Sequence, residues 1–183
     1  MIETDIIVVG AGIAGASIAA ILSETKNITI LDMESRPGYH TTGRSAALFT
    51  ENYGTATIKA LTRASRKFFE TPPIDFCEFP LLTPRGIIYL ARADQLGKLK
   101  KFQEINPNVE ELSEHDLHER ISHLKRGHIV AGLLEAGASD IDVNALHMGY
   151  LRQAKNNGAD LLCRQAVTSI NCEDGVWEVT TDQ

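Results

Sequence analysis

The first 32 residues restrict this chain more than any other segment. Asp5-Ile-Ile-Val-Val9 is a continuous apolar, β-branched run that stops at Gly10, the pattern of a parallel strand covered on both faces. Ala14 to Ser23 reads as a helix of small and aliphatic residues. After the polar turn Glu24 to Asn27, a second buried strand, Ile28-Thr-Ile-Leu31, ends at Asp32. These segments predict a βαβ unit with a right-handed crossover. Between the first strand and the helix stands Gly10-Ala-Gly12-Ile-Ala-Gly15, a GxGxxG match, and an acidic residue closes the next strand 22 positions after Gly10. In that context Gly10 allows the tight turn, Gly12 lets the backbone approach a pyrophosphate, and Gly15 lets the helix pack closely on the strand. The start of the helix offers unpaired N–H groups and a partial positive charge to phosphates. Asp32 is placed to accept hydrogen bonds from a ribose diol and to repel a 2′-phosphate.

With 183 residues, 43% hydrophobic and 23% charged, the chain has the composition of a globular domain with one good core. A formal charge of -6 leaves no basic surplus for phosphate backbones, so nucleic acid is not an expected partner. The longest apolar stretch, Ile6 to Leu22, is interrupted by Gly10, Gly12 and Gly15 and is too short to span a membrane. Met1-Ile-Glu-Thr-Asp5 lacks the basic residues that open a secretory signal, which makes the cytoplasm the expected location. The three cysteines, Cys77, Cys163 and Cys172, have no CxxC spacing and read as small hydrophobes. His115, His118, His123 and His128 lie close in sequence, but their intervals build no ligand set, so a solvated helix and no metal site is expected.

The middle of the chain is less regular. Ile58, Leu61, Ala64, Ser65 and Phe68 recur at helical spacing up to the stop at Pro72-Pro73. Gly86 to Ala91 reads as a strand, Gln95 to Phe102 as a helix, Ser113 with Asp116 as a capping box, and Ile129 to Glu135 as a strand. Asp142 is placed to cap a helix carrying Leu146, Tyr150, Leu151 and Ala154 on one side and ending near Gly158. Leu161 to Cys163 and Ala166 to Ile170 are short strands, and Glu173-Asp-Gly175 is a turn leading into Val176 to Thr180, a last strand expected to lack a partner. The expected class is α/β. Residues 1–50 and 140–183 form an incomplete Rossmann-like domain, and 51–139 form an inserted mixed α+β region of helices and strands.

The glycine fingerprint serves several dinucleotides, and the next segment narrows the choice. Pro37-Gly-Tyr-His-Thr-Thr-Gly-Arg-Ser-Ala-Ala47 packs glycines, hydroxyls, an arginine and small residues into eleven positions directly after the second strand. Such a stretch suits a long cofactor with a flat ring, with Thr42 and Ser45 bonding phosphate or ribityl oxygens, Arg44 near the diphosphate, and Ala46 and Ala47 allowing close approach. Taken with Tyr53-Gly-Thr55, Phe76-Cys-Glu78, Pro80-Leu-Leu82, Asp140-Ile-Asp142 and Gly149-Tyr-Leu-Arg152, it makes the chain resemble the FAD-dependent D-amino-acid oxidase-like oxidoreductases. That family includes glycine and sarcosine oxidases and glycerol-3-phosphate dehydrogenases, and the likeness is greatest to its bacterial D-arginine dehydrogenase branch.

The resemblance implies FAD as cofactor, with contacts at Gly10, Gly12, Gly15, Asp32, Thr42, Arg44, Ser45, Ala46 and Ala47, and the adenine near the backbone of Val167. It puts Tyr53 near the substrate. Two positions depart from the D-arginine dehydrogenase pattern: Ile87 stands where that branch offers a carboxylate to the guanidinium, and Leu48 where it has a histidine beside the flavin. A cationic side chain buried against Ile87 would lack a counter-charge, so arginine is not the expected substrate. Because family members have considerably longer chains, the resemblance implies the N-terminal half of an enzyme that moves a hydride from the α-carbon of an amino acid or amine to flavin N5. Such a half would be closed by a complementing C-terminal half or by another copy of itself. No catalytic residue is identified. Two further expectations stand beside this one: a non-catalytic remnant or assembly subunit working through protein contacts, and a 2-hydroxy-acid or glycerol-3-phosphate dehydrogenase of the same family.

Overall fold

The computed structural model describes all residues, Met1–Gln183. The chain forms two compact units, one of residues 1–47, 68–81 and 141–183, the other of 48–67 and 82–140.

The first unit is built on β1 (Ile6–Val9), α1 (Ile13–Leu22) and β2 (Ile28–Asp32). β1 pairs parallel to β2 from Ile6↔Ile28 to Val9↔Leu31, and β2 pairs parallel to β9 (Asp160–Cys163) from Thr29↔Asp160 to Asp32↔Cys163. The strand order is therefore β1-β2-β9. Ile28 to Leu31 are all buried, as their uninterrupted apolar run predicts for a central strand. α5 (Val143–Asn156) starts at Asp142, whose Oδ1 accepts the Ala145 N–H at 2.8 Å.

α1 and α5 share a core in which Ala16, Ala19 and Ala20 meet Ile28, Ile30, Leu151 and Ala154. Alanines on α1 allow this close approach, and each large aliphatic side chain removed from water contributes about 1.5–3 kcal/mol. A second cluster joins Phe76, Leu81 and Leu146 with Phe68 and Tyr150, whose rings stack at 5.8 Å and 3°. The unit ends in a ribbon of β10 (Val167–Glu173) and β11 (Val176–Thr181), turned at Asp174-Gly175 with both residues at positive φ. β11 pairs antiparallel with β10 from Val176↔Glu173 to Thr181↔Val167, which corrects the expectation of an unpaired last strand. The two-residue turn closes the hairpin locally and needs no distant strand.

In the second unit, β3 (Leu48–Phe49), β8 (Ser139–Ile141) and β4 (Leu82–Pro84) form a short sheet in that spatial order. β5 (Ile87–Ala91), β7 (Ala131–Glu135) and β6 (Glu110–Ser113) form an antiparallel one. α2 (Ala56–Glu70), α3 (Leu96–Ile105) and α4 (Glu114–Arg120) accompany them. The capping box at the start of α4 is formed: Asp116 N–H donates to Ser113 Oγ at 3.2 Å, and Ser113 N–H donates to Asp116 Oδ2 at 2.9 Å. No group of three metal-ligating side chains occurs, and no helix is long and apolar enough to cross a membrane.

Candidate functional site

A cleft of about 450 Å³ opens in the first unit at the C-terminal ends of β1 and β2. In parallel α/β sheets this is where ligands bind, and the volume lies within the range of small-molecule sites. Its walls include Gly10, Gly12, Asp32, Gly38, Thr42 and Val167.

The fingerprint turn is pinned from several sides. Gly10 sits at φ +98, a conformation that glycine adopts without strain, and its N–H donates to Leu31 O at 2.7 Å. A Cβ built on Gly10 meets nothing within 4 Å, so the cleft is open over the turn. Ala11 is fully buried, and its N–H donates to Asp32 Oδ2 at 2.8 Å. Asp32 Oδ1 accepts the Glu34 N–H at 2.9 Å. A carboxylate carries about four acceptor positions, so two remain for a ribose diol. α1 starts at Gly12, which has no side chain to cap it, and Thr42 takes that part from a distance: its Oγ1 accepts the Ile13 N–H at 3.0 Å. Thr42 is buried at the start of a 3₁₀ turn, Thr42–Arg44.

Gly15 lies below the cleft. A Cβ there would come 1.9 Å from Gly10 O, so helix and turn touch through this position. Cys163 pairs with Asp32 across β9 and β2, and its thiol is pushed up from its ordinary pKa by burial and then by the Asp32 charge.

Of the predicted cofactor residues, Gly10, Gly12, Asp32, Thr42 and Val167 line the cleft. Arg44, Ser45, Ala46 and Ala47 do not. Arg44 stands over the Tyr39 ring at 5.2 Å, Ser45 Oγ donates to Thr41 O at 2.8 Å, and Ala47 O accepts the Ile141 N–H at 3.0 Å. Tyr39 and His40, which no sequence argument singled out, are on the cleft wall, and His40 Nε2 lies 2.8 Å from Glu34 Oε1. His147 is the other residue that sequence reasoning missed. It is buried on α5 with Nε2 2.7 Å from Ala11 O.

Leu48, Tyr53 and Ile87 belong to the second unit. Tyr53 is exposed, and Leu48 and Ile87 are half-buried. Ile87 pairs with Glu135, whose carboxylate is 2% exposed and already engaged by the Thr50 hydroxyl, the Glu51 N–H and the Tyr89 hydroxyl at 2.7–3.2 Å. Burial and the bond to Glu135 push the Tyr89 hydroxyl up to about 12. Glu135 is therefore a structural anchor for Thr50 and Tyr89.

The cleft fits the adenosine diphosphate part of a dinucleotide: an open glycine turn, a helix start, and a carboxylate with spare acceptors. Over 183 aligned residues the chain is 27% identical to the sarcosine oxidase subunit beta of Rhodobacter capsulatus, covering 93% of this chain and 44% of that one. Its fold matches the L-α-glycerophosphate oxidase of Mycoplasma pneumoniae with a TM-score of 0.83 at 20% identity, over 100% of this chain and 50% of that one. It matches glycine oxidase from Bacillus cereus with a TM-score of 0.82 at 19% identity, over 99% and 53%. The chain thus spans about half the length of the relatives it matches. The profile of the FAD dependent oxidoreductases, DAO, matches residues 5–183, and the chain belongs to that family.

Proposed function

We propose that this chain is the FAD-binding half of an oxidoreductase acting on an amino acid or amine. The reading rests on the cleft, where Asp32 holds the fingerprint turn with one carboxylate oxygen and faces the same opening as Gly12 and Thr42. In this reading residues of the first unit bind the cofactor. The Gly12 N–H and the start of α1 receive the diphosphate, Asp32 receives the adenosine ribose, and the Val167 backbone borders the adenine. Arg44, Ser45, Ala46 and Ala47 follow the chain toward the flavin end, and Gly15 acts indirectly by seating the helix. The second unit carries the substrate side, with Tyr53, Leu48 and Ile87 as its candidate contacts. When bound, FAD supplies the hydride acceptor at flavin N5. An uncharged substrate side chain suits Ile87, which carries no counter-charge for a buried cation.

One observation favours completion of this half by a second polypeptide or a second copy: β1 is an edge strand, paired only with β2. The relation to a subunit of sarcosine oxidase supports an assembly, and the fold match to a glycerophosphate oxidase keeps a hydroxyl-bearing substrate as the second reading.

The experiment is a titration of the chain with ADP and with FAD, alongside a visible spectrum and light scattering. The expected result is saturable ADP binding, weak or no retention of FAD, and no turnover by the isolated chain. A preference for NADP over ADP-type ligands would refute the assignment of Asp32, and a stoichiometric yellow protein reducing dyes with D-amino acids would refute the need for a second half.

A further inference from the structure

We propose that His147 is a positioning residue for the cofactor diphosphate, holding the Ala11–Gly12 peptide so that the Gly12 N–H faces the cleft. The inference rests on the ADP reading of that cleft.

His147 is 4% exposed on α5, outside the cleft and outside the glycine fingerprint. Its Nε2 lies 2.7 Å from Ala11 O. A carbonyl only accepts, so Nε2 carries the proton. All peptides in the chain are trans, and in a trans peptide the carbonyl and the following N–H point in opposite directions. Tying the Ala11 carbonyl to α5 therefore turns the Gly12 N–H away from α5. The preceding peptide is held independently, because the Ala11 N–H donates to Asp32 Oδ2.

The restraint is needed because of what makes the turn useful. Glycine at position 12 lets a phosphate come close to the backbone, and it also lets the Ala11–Gly12 peptide rotate, since glycine tolerates the φ that a flipped peptide would impose. A flipped peptide would present a carbonyl oxygen where an anion has to sit. The sequence cannot prevent this with a side chain at position 12, where a Cβ would already press on Thr42 Oγ1 at 3.2 Å. An external donor does so instead.

The same ring touches the second loop of the cleft. A Cβ built on Gly38 would come 2.7 Å from His147 Cε1, and Gly38 O accepts the Gly43 N–H at 2.8 Å next to Thr42. The imidazole thus sets the spacing between the fingerprint turn and the loop that supplies Thr42.

The test compares ADP with adenosine, which shares the ribose and base but lacks the diphosphate, in titrations of wild type, His147→Leu and His147→Gln. Leucine fills the volume without a donor, and the glutamine amide places a donor near the position of Nε2. Loss of one hydrogen bond predicts ADP binding about tenfold weaker in His147→Leu, adenosine within about twofold, and recovery of most of the loss in His147→Gln. Equal loss for both ligands, no loss for ADP, or a glutamine variant as weak as leucine overturns the proposal. Wild type that binds neither ligand overturns the cofactor reading and this inference together, whereas wild type that binds ADP beside an unaffected leucine variant overturns this inference alone. If the leucine variant does not fold, ¹⁵N spectra of wild type decide: a protonated Nε2 with the Gly12 amide among the most shifted signals on adding ADP supports the assignment, and a protonated Nδ1 refutes it.

Discussion

Replacing Gly15 by alanine separates the packing role of the fingerprint from its ligand role. A Cβ at this position falls 1.9 Å from Gly10 O and 3.1 Å from both Gly10 C and Val8 Cγ1. A relaxed carbon–oxygen contact is about 3.3 Å, so α1 has to retreat from the turn by about 1.4 Å. Neither neighbour yields easily, because Gly10 is tied to Leu31 O and Val8 is paired in β1 with Ile30. The retreat pulls Ala16, Ala19 and Ala20 off Ile28 and Ile30. Overpacking of this kind costs about 1–3 kcal/mol, and the displacement puts Gly15→Ala at the upper end. The gain in helix propensity offsets about 1 kcal/mol, leaving a net loss of about 2 kcal/mol and a melting point lower by about 4–8 °C. Gly97→Ala is the control: Gly97 is exposed in the first turn of α3 with nothing within 4 Å of its built Cβ, so the same change should stabilise by about 0.5–1 kcal/mol. Urea unfolding followed by far-ultraviolet circular dichroism reads both, and ADP titration reads the cleft. A Gly15→Ala protein within about 0.5 kcal/mol of wild type, inside the spread of neutral substitutions, would refute the close-approach argument. So would a Gly97→Ala protein destabilised to the same extent.

Other changes probe the site and the second unit. Asp32→Asn leaves one oxygen and one amide facing the two N–H groups of Ala11 and Glu34, so it should lose about 2 kcal/mol in urea and weaken ADP binding; unchanged stability would mean those bonds are not formed. Thr42→Val keeps the shape but removes the acceptor for the Ile13 N–H, and should cost about 1 kcal/mol, while Thr42→Ser should recover it. For Tyr89, the folded hydroxyl titrates near 12 against an ordinary value of 10.0, so its contribution is complete below pH 10 and is lost as pH rises toward 12. The urea midpoint of wild type should fall across that window, and Tyr89→Phe should be less stable at neutral pH but flatter between pH 10 and 12. Parallel profiles for the two proteins would remove Tyr89 as the cause.

What the sequence disclosed follows the range of the interactions involved. β1, α1 and β2 were legible because each is declared by its own residues, an apolar run or a helical stripe bounded by glycine or an acid. The box of Ser113 and Asp116 was legible for the same reason, since both partners lie within one turn. β3, β4 and β8 were missed: two or three residues long, they exist only through pairing with segments distant in the chain, such as Leu48 with Asp140. No local pattern can announce a strand of that length.

The candidate site divides along the same line. Gly10, Gly12, Asp32 and Thr42 were readable from spacing or from resemblance, and they do converge on one cleft. The Ser45 hydroxyl, expected to bond phosphate or ribityl oxygens, donates to the Thr41 carbonyl four residues back, a short-range bond that composition alone does not reveal. His147 was passed over because histidines were weighed by proximity in sequence, which favoured His115 to His128. Its signal was positional: it falls three, four and seven residues before Tyr150, Leu151 and Ala154, on the apolar stripe of α5. A histidine on such a stripe must find a partner inside the protein, and the carbonyl it found belongs to the turn between Gly10 and Gly12. An imidazole buried at that point has no solvent-side role, and its one polar contact is with the peptide between Ala11 and Gly12.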